Sequence, residues 1–212
     1  MDTLIRIADS LQRGDDAQVG TLTAEALAAG IPAGDVLQKG LIAGMNLVGE
    51  QFRLREIFLP DVLLAARAMY AGLELLRPRL AQEGVPLRGK VVIGTIKGDL
   101  HDIGKNLVGI MLKGAGFEVI DLGHDVAPEA FVDAAVREQA PLIGMSALLT
   151  TTMVRMKEVV DLIDSRGLSG QIKTIVGGAP LSSDFAREIG ADDYASDSAT
   201  AVERVKSLLG VT

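Results

Sequence analysis

From residue 91 onward one arrangement recurs: a short apolar, largely β-branched run, a turn, then a longer stretch of helical periodicity. The runs are Val91–Ile96, Glu118–Leu122, Leu142–Ser146 and Ile172–Val176, with a weak fifth at Asp193-Tyr194. The helical stretches are Ile103–Lys113, Pro128–Gln139, Thr151–Ser165, Ser182–Ile189 and Ala199–Leu208. Continuous apolar runs suit strands buried on both faces, and a helix after each strand supplies the crossover that parallel pairing needs. No hairpin signal interrupts the series. The pattern predicts an α/β fold, a doubly wound parallel sheet with helices on both faces.

Before residue 88 the period is helical throughout. Leu4, Ile5, Ala8 and Leu11 mark a first helix that ends near Gly14. Asp15 or Asp16 caps a second, which runs to about Ala29 and stops at Gly30 and Pro32. A third spans Ala33 to Phe52, with Val36, Gly40, Gly44, Val48 and Phe52 on one stripe; its two glycines imply close helix packing. A fourth begins near Pro60, where a first-turn proline is tolerated. Pro78 to Gly89 holds two prolines and two glycines and is expected to be a linker. The expected organisation is a helical domain over residues 1–88, with a linker at its C-terminal end, and a sheet domain over 89–212.

The apolar content of 48% supports a substantial core, and a net charge of −7 with no basic run argues against nucleic acid and against anionic membrane surfaces. Aromatics are only 3%, too few for the stacking platforms of single-strand binders. No apolar stretch approaches the roughly 20 residues of a bilayer span, and the first residues lack the order of a signal peptide, so a cytoplasmic protein is expected. The chain has no cysteine and two histidines. Disulfides, thiolate metal sites, a cysteine nucleophile and an all-histidine zinc site are thereby excluded. A metal held here must bring most of its own ligands.

The junction after the first strand reads Gly98-Asp99-Leu100-His101-Asp102-Ile103-Gly104-Lys105-Asn106. In an open parallel sheet such junctions are where ligands bind. An aspartate two residues before a histidine can hold the far ring nitrogen and present the near one to a metal. A phosphate-loop reading fails on spacing, because five residues separate Gly98 from Gly104 and Asn106 stands where a hydroxyl would hold magnesium. The dinucleotide glycine fingerprint is absent, no nucleophile elbow appears, and the third strand lacks the terminal aspartate of a receiver domain. The third strand end offers Ser146, Leu148, Thr150, Thr151 and Thr152; the fourth offers Gly177, Gly178, Ala179 and Pro180. Each element has a plainer explanation, a helix cap or a tight turn; their co-occurrence at matching strand ends points to a ligand rim. His124, with no carboxylate two residues before it, reads as a surface turn residue.

Taken together, Asp99-x-His101-x-x-Gly104, Ser146-x-Leu148 and Gly177-Gly178 resemble the cobalamin-binding signature. The helical half, with Gly44 to Phe52 and Ile57-Phe58-Leu59-Pro60, is similar to the helical cap of methionine synthase and of the corrinoid proteins of methyltransferase systems. The resemblance covers essentially the whole chain and implies a four-helix cap followed by a Rossmann-like (flavodoxin-like) cobalamin-binding domain. It implies a cobalamin or related cobamide, cycling between methyl-Co(III) and Co(I), that loses its own base and takes His101 as lower ligand to cobalt. Asp99 would be the hydrogen-bond partner of His101, and Thr152 would stand where methionine synthase has a serine extending the relay. Ser146 would meet the displaced base and Leu148 would line the tail slot. Gly98, Asp102, Ile103, Gly104, Thr150, Gly177 and Gly178 complete the implied cofactor contacts, and Phe52 and Leu59 would shield the upper face.

The function implied is a methyl carrier, the corrinoid subunit of a methyltransferase system in one-carbon metabolism and not a complete enzyme alone. Its implied partners are a substrate-specific corrinoid methyltransferase, an acceptor methyltransferase using tetrahydrofolate or a thiol, and a reductive activator of oxidised cobalt. A cobalamin-dependent sensor is the alternative, although no basic helix-turn-helix region accompanies the sequence.

Overall fold

The computed structural model describes residues 2–83 and 87–211. The chain divides into two compact units, Met1–Leu87 with Gly114–Gly116, and Arg88–Lys113 with Phe117–Thr212.

The first unit is helical. Helix α1 (Thr3–Gln12) is capped by Asp2 and α2 (Asp16–Ala28) by Asp15, whose side chains accept from the amides of Leu4 and Gln18. The third helical stretch is less regular than its periodicity predicts. A short α3 (Ala33–Asp35) passes into a π-helical segment (Val36–Ile42) and then α4 (Ala43–Arg53). The wider turn closes where the Ala43 amide reaches back to Gln38 O. Gly40 and Gly44 face α1: a methyl group at Gly44 would stand 2.9 Å from the Ala8 carbonyl, and one at Gly40 would stand 3.2 Å from Ile7. Their smallness therefore serves packing. Helix α5 (Leu59–Glu83) starts with Pro60 in its first turn, where the Asp61 carboxylate accepts from the Phe58 amide at 2.9 Å.

Pro78, expected to open a linker, lies inside α5. Proline removes one helical donor and crowds the preceding turn. Here Leu76 and Leu80, buried on either side of it, outweigh that local cost. Of the expected linker, residues 84–86 lie outside the described residues.

The second unit is a five-stranded parallel sheet. The strands are β1 (Lys90–Thr95), β2 (Glu118–Asp121), β3 (Leu142–Ser146), β4 (Lys173–Gly177) and β5 (Asp193–Ala195), in spatial order β2-β1-β3-β4-β5. The crossovers are α6 (Ile103–Gly114), α7 (Pro128–Glu138), α8 (Thr150–Met153) with α9 (Met156–Ser165), and α10 (Ser183–Ile189); α11 (Ser198–Leu209) follows β5. The centre of the sheet is apolar: Val91, Val92, Leu142, Ile143 and Val176 are buried, and Phe131, Val132 and Val159 pack over one face. Strand β2 differs from the buried strand expected, because it lies at an edge with Glu118 and Asp121 exposed. The helix expected over Thr151–Ser165 breaks at Val154-Arg155, where Arg155 N bonds Thr152 O in a tight turn before α9 begins.

This strand order places the topological switch between β1 and β3, where successive crossovers leave to opposite faces and open a crevice at the carboxyl ends. The last paired row along that rim is Thr95, Ser146, Gly177 and Ala195. No described helix is long and apolar enough to cross a membrane.

Candidate functional site

The loop after β1 and the loop after β3 meet at the switch point through one side chain. Asp99 is fully buried, yet every contact of its carboxylate is a hydrogen bond from a donor. Oδ2 accepts from the successive amides of Leu148 (2.8 Å) and Leu149 (3.2 Å) and from the Thr152 hydroxyl (2.8 Å). Oδ1 accepts from the His101 amide (3.1 Å) and lies 2.7 Å from His101 Nδ1. Adjacent backbone amides aimed at one oxygen form a small anion nest. Burial pushes the Asp99 pKa up. The hydrogen bonds from Leu148, the His101 ring and amide, and Thr152 outweigh it and hold the carboxyl well below the usual carboxylate range.

An ionised carboxylate can only accept, so Nδ1 of His101 must carry the hydrogen in this contact. In the neutral ring the lone pair then belongs to Nε2. The imidazole is 52% exposed while its partner is wholly inaccessible. The arrangement is thus a ring gripped from behind with its other nitrogen open. Thr152 is buried at the base of the same network; its single hydroxyl hydrogen has two acceptors in reach, Asp99 Oδ2 and Leu149 O (3.0 Å).

The two loops also carry exposed apolar side chains. Leu100, Ile103, Leu148 and Leu149 are all exposed, although each neighbours a buried or hydrogen-bonded residue. Such a cluster on an otherwise charged chain marks a surface meant to be covered. Gly104 is exposed with open space about it, whereas Gly178 is packed against backbone: at φ +137° a methyl group there would lie 1.9 Å from the Ala147 carbonyl oxygen. Gly177, paired with Ser146, brings the β4 end to the same rim, and Ser146 is half-buried. Gly98 donates its amide to Asp125 Oδ1 (2.8 Å), Asp102 O accepts from Asn106 N (2.7 Å) as α6 begins, and Thr150 is exposed at the first residue of α8. Phe52, half-buried, and Leu59, exposed, belong to the helical unit, where Leu54, Phe58 and Leu63 are exposed as well. His124 is exposed in the turn after β2.

Two residues escaped the sequence reading. Thr95 Oγ1 donates to His101 O at 3.0 Å, holding the loop from beneath. The signal was available: a hydroxyl in an otherwise apolar strand. Asp125 binds the Gly98 amide and the Lys97 ammonium (3.2 Å), and its own amide donates to Asp99 O (3.0 Å). The Gly98 amide, followed by Lys97, keeps its carboxyl below the ordinary range.

A cation coordinated by protein carboxylates and imidazoles is not offered, because no cluster of three such groups exists among the described residues. With one open imidazole nitrogen and exposed apolar side chains on the same loops, the donor set suits a group that brings its own metal and most of its own ligands.

Comparison with known proteins agrees. The sequence profile described as B12 binding domain matches residues 89–205, and a second B12 binding domain profile matches residues 4–77. Trimethylamine corrinoid protein 1 of Methanosarcina mazei is 43% identical over 210 residues, covering 98% of this chain and 97% of that protein. Among solved structures, the methanol:cobalamin methyltransferase complex from Methanosarcina barkeri superposes with a TM-score of 0.87 at 31% identity, covering 99% of this chain and 80% of that one. A cobalamin-binding protein from Desulfitobacterium hafniense gives a TM-score of 0.81 at 31% identity, with 98% of each chain covered.

Proposed function

The chain belongs to the B12-binding family and its cofactor is a corrinoid, and we propose that it is the methyl-carrying corrinoid subunit of a methyltransferase system, with His101 as the lower axial ligand to cobalt. When bound, the corrinoid supplies the hard chemistry, taking up and giving away a methyl group at a cobalt already held by four equatorial nitrogens. The chain's own task is then to supply one axial donor and to control it.

The observation that carries this reading is the buried, ionised Asp99 set 2.7 Å from Nδ1 of a half-exposed imidazole. Asp99 keeps the hydrogen on Nδ1 and leaves the Nε2 lone pair for the metal. A ring that carried its hydrogen on Nε2 would have no lone pair there to offer, so the Asp99 contact decides whether that nitrogen could serve as the ligand. Thr152, donating to the far carboxylate oxygen, steadies the charge that selects the ring's proton. In the same reading Gly98, Asp102, Ile103, Gly104 and Thr150 border the corrin face. Ser146, Leu148, Gly177 and Gly178 line the slot that receives the displaced nucleotide tail. Phe52 and Leu59 are the proposed shield of the upper face.

A carrier needs a methyltransferase that loads it and one that unloads it. Its similarity to a trimethylamine corrinoid protein and to a methanol:cobalamin methyltransferase complex supports methylamine- or methanol-type donors. The acceptor enzyme would use tetrahydrofolate or a thiol, and a reductive activator would rescue oxidised cobalt.

Reconstitution tests the reading. The full chain should take up cobalamin, and the bound cofactor's absorbance spectrum should change in His101→Ala while uptake persists. A spectrum identical to that of the unaltered protein would remove His101 from the axial position. Methyl loading by a panel of partner methyltransferases would then assign the donor.

A further inference from the structure

Lys105 sits in α6 where a lysine is doubly unfavourable. A cation in the first turn of a helix opposes the helix dipole, and an ammonium withdrawn from water loses its hydration. The Lys105 side chain is only 3% exposed. An aliphatic residue would fill the same space without either penalty.

What the ammonium does is hold three oxygens, one for each of its protons. It donates to Asp121 Oδ1 and Oδ2, both at 2.6 Å, and to Asn106 Oδ1 at 2.7 Å. Asp121 is the last residue of β2, and its Oδ1 also accepts from the Gly123 amide at 2.9 Å. The Gly123 carbonyl accepts from Thr95 N at 2.9 Å, and the Thr95 hydroxyl donates to His101 O at 3.0 Å. The circuit leaves the chain four residues past His101 and returns to the carbonyl of His101 itself. Asp99 orients the ring; this second circuit ties the backbone that bears it to the ends of β1 and β2.

We propose that Lys105 is a positioning residue which, acting through Asp121, presents His101 for axial ligation. The inference rests on the reading of His101 as the cobalt ligand. Losing the ammonium leaves cofactor uptake in place and weakens the imidazole–cobalt bond, because the ring must then be ordered at the moment it binds.

The test uses the full chain loaded with cobalamin, in four forms: unaltered, Lys105→Met, Asp121→Asn and the double variant, with His101→Ala as control. The first reading is the Co(II)/Co(I) midpoint potential. Axial imidazole favours Co(II), so each single variant is expected to raise the potential by about 59 mV, the value of a tenfold weaker ligation for a one-electron couple. The double variant should rise no further than either single one, because both remove the same tie. An unchanged potential in the folded single variants, or a doubled shift in the double variant, overturns the proposal. Asp121 lies partly at the surface, so Asp121→Asn serves should Lys105→Met fail to fold. Nitrogen splitting in the Co(II) electron paramagnetic resonance spectrum, absent in His101→Ala, separately tests the axial reading. If that reading fails, amide exchange at His101 in the cofactor-free chain decides Lys105: faster exchange in Lys105→Met supports it, and unchanged exchange overturns it.

Discussion

Replacing Asp99 by asparagine removes a charge and exchanges one acceptor for a donor at a site where every neighbour donates. If the amide oxygen faces Leu148, Leu149 and Thr152, the amide nitrogen faces the His101 N–H and Nδ1, which lie 3.1 and 2.7 Å from the present oxygen. The His101 amide is then opposed by a second donor, and the ring can keep its contact only by accepting at Nδ1, with its hydrogen moved to Nε2. If the side chain is reversed, its nitrogen confronts the Leu148 and Leu149 amides. Either way at least one charge-assisted hydrogen bond is lost and a buried N–H is left unpaired, which costs about 2–4 kcal/mol. The first orientation opposes one backbone amide where the second opposes two, so it is the favoured one, and in it the Nε2 lone pair is lost as well. Two measurements follow from one variant: urea denaturation of the cofactor-free chain, and the absorbance spectrum of the cobalamin-loaded chain. Asp99→Asn should lose stability in that range, and its loaded spectrum should match that of His101→Ala. A variant as stable as the original, or one whose cofactor keeps the unaltered spectrum, would refute the reasoning.

Three further outcomes are expected. Gly178→Ala should destabilise the cofactor-free chain by about 3 kcal/mol or more, since it combines a strained backbone with overlap against the Ala147 carbonyl; a denaturation midpoint near the original would contradict this. Gly104→Ala should do the reverse for folding, adding about 0.5–1 kcal/mol because the helix gains an alanine and open space surrounds it. If Gly104 borders the corrin face, the same variant should bind cobalamin more weakly, which a titration followed by absorbance would record. The third outcome concerns acid. Asp99 and Asp197 both hold folded-state pKa values below their ordinary ones. Their contribution to stability is therefore complete above about pH 4 and is lost as pH falls through the lower folded values. Unfolding free energies at a series of acidic pH values should show a shallower pH dependence for Asp99→Asn than for the original chain.

The sheet was legible because parallel strands buried on both faces leave continuous apolar runs, and Leu142–Ser146 coincides with its predicted bounds. The irregularities were hidden, since each arises from packing at a distance. Pro78 is carried inside α5 by the burial of Leu76 and Leu80, and no local rule weighs that against the missing amide. The π-helical segment follows a stripe whose four-residue spacing is compatible with an ordinary helix. At the site, Asp99 and His101 were evident from their spacing, and the Leu148 and Leu149 amides were not, because backbone donors have no letter in a sequence. Lys105 could have been suspected from its conflict with the helix dipole. Its partner Asp121 could not be chosen until the strand order was known.

One consequence of the fivefold hydrogen bonding at Asp99 reaches beyond any single molecule. That carboxylate fastens two loops in the cofactor-free chain, so folding alone would preserve it, whereas the half-exposed His101 ring supplies only one of its five hydrogen bonds. In a descendant that had abandoned corrinoids, the histidine should drift while the aspartate endures. The histidine is accordingly the residue to consult when judging whether a distant homologue still carries the cofactor.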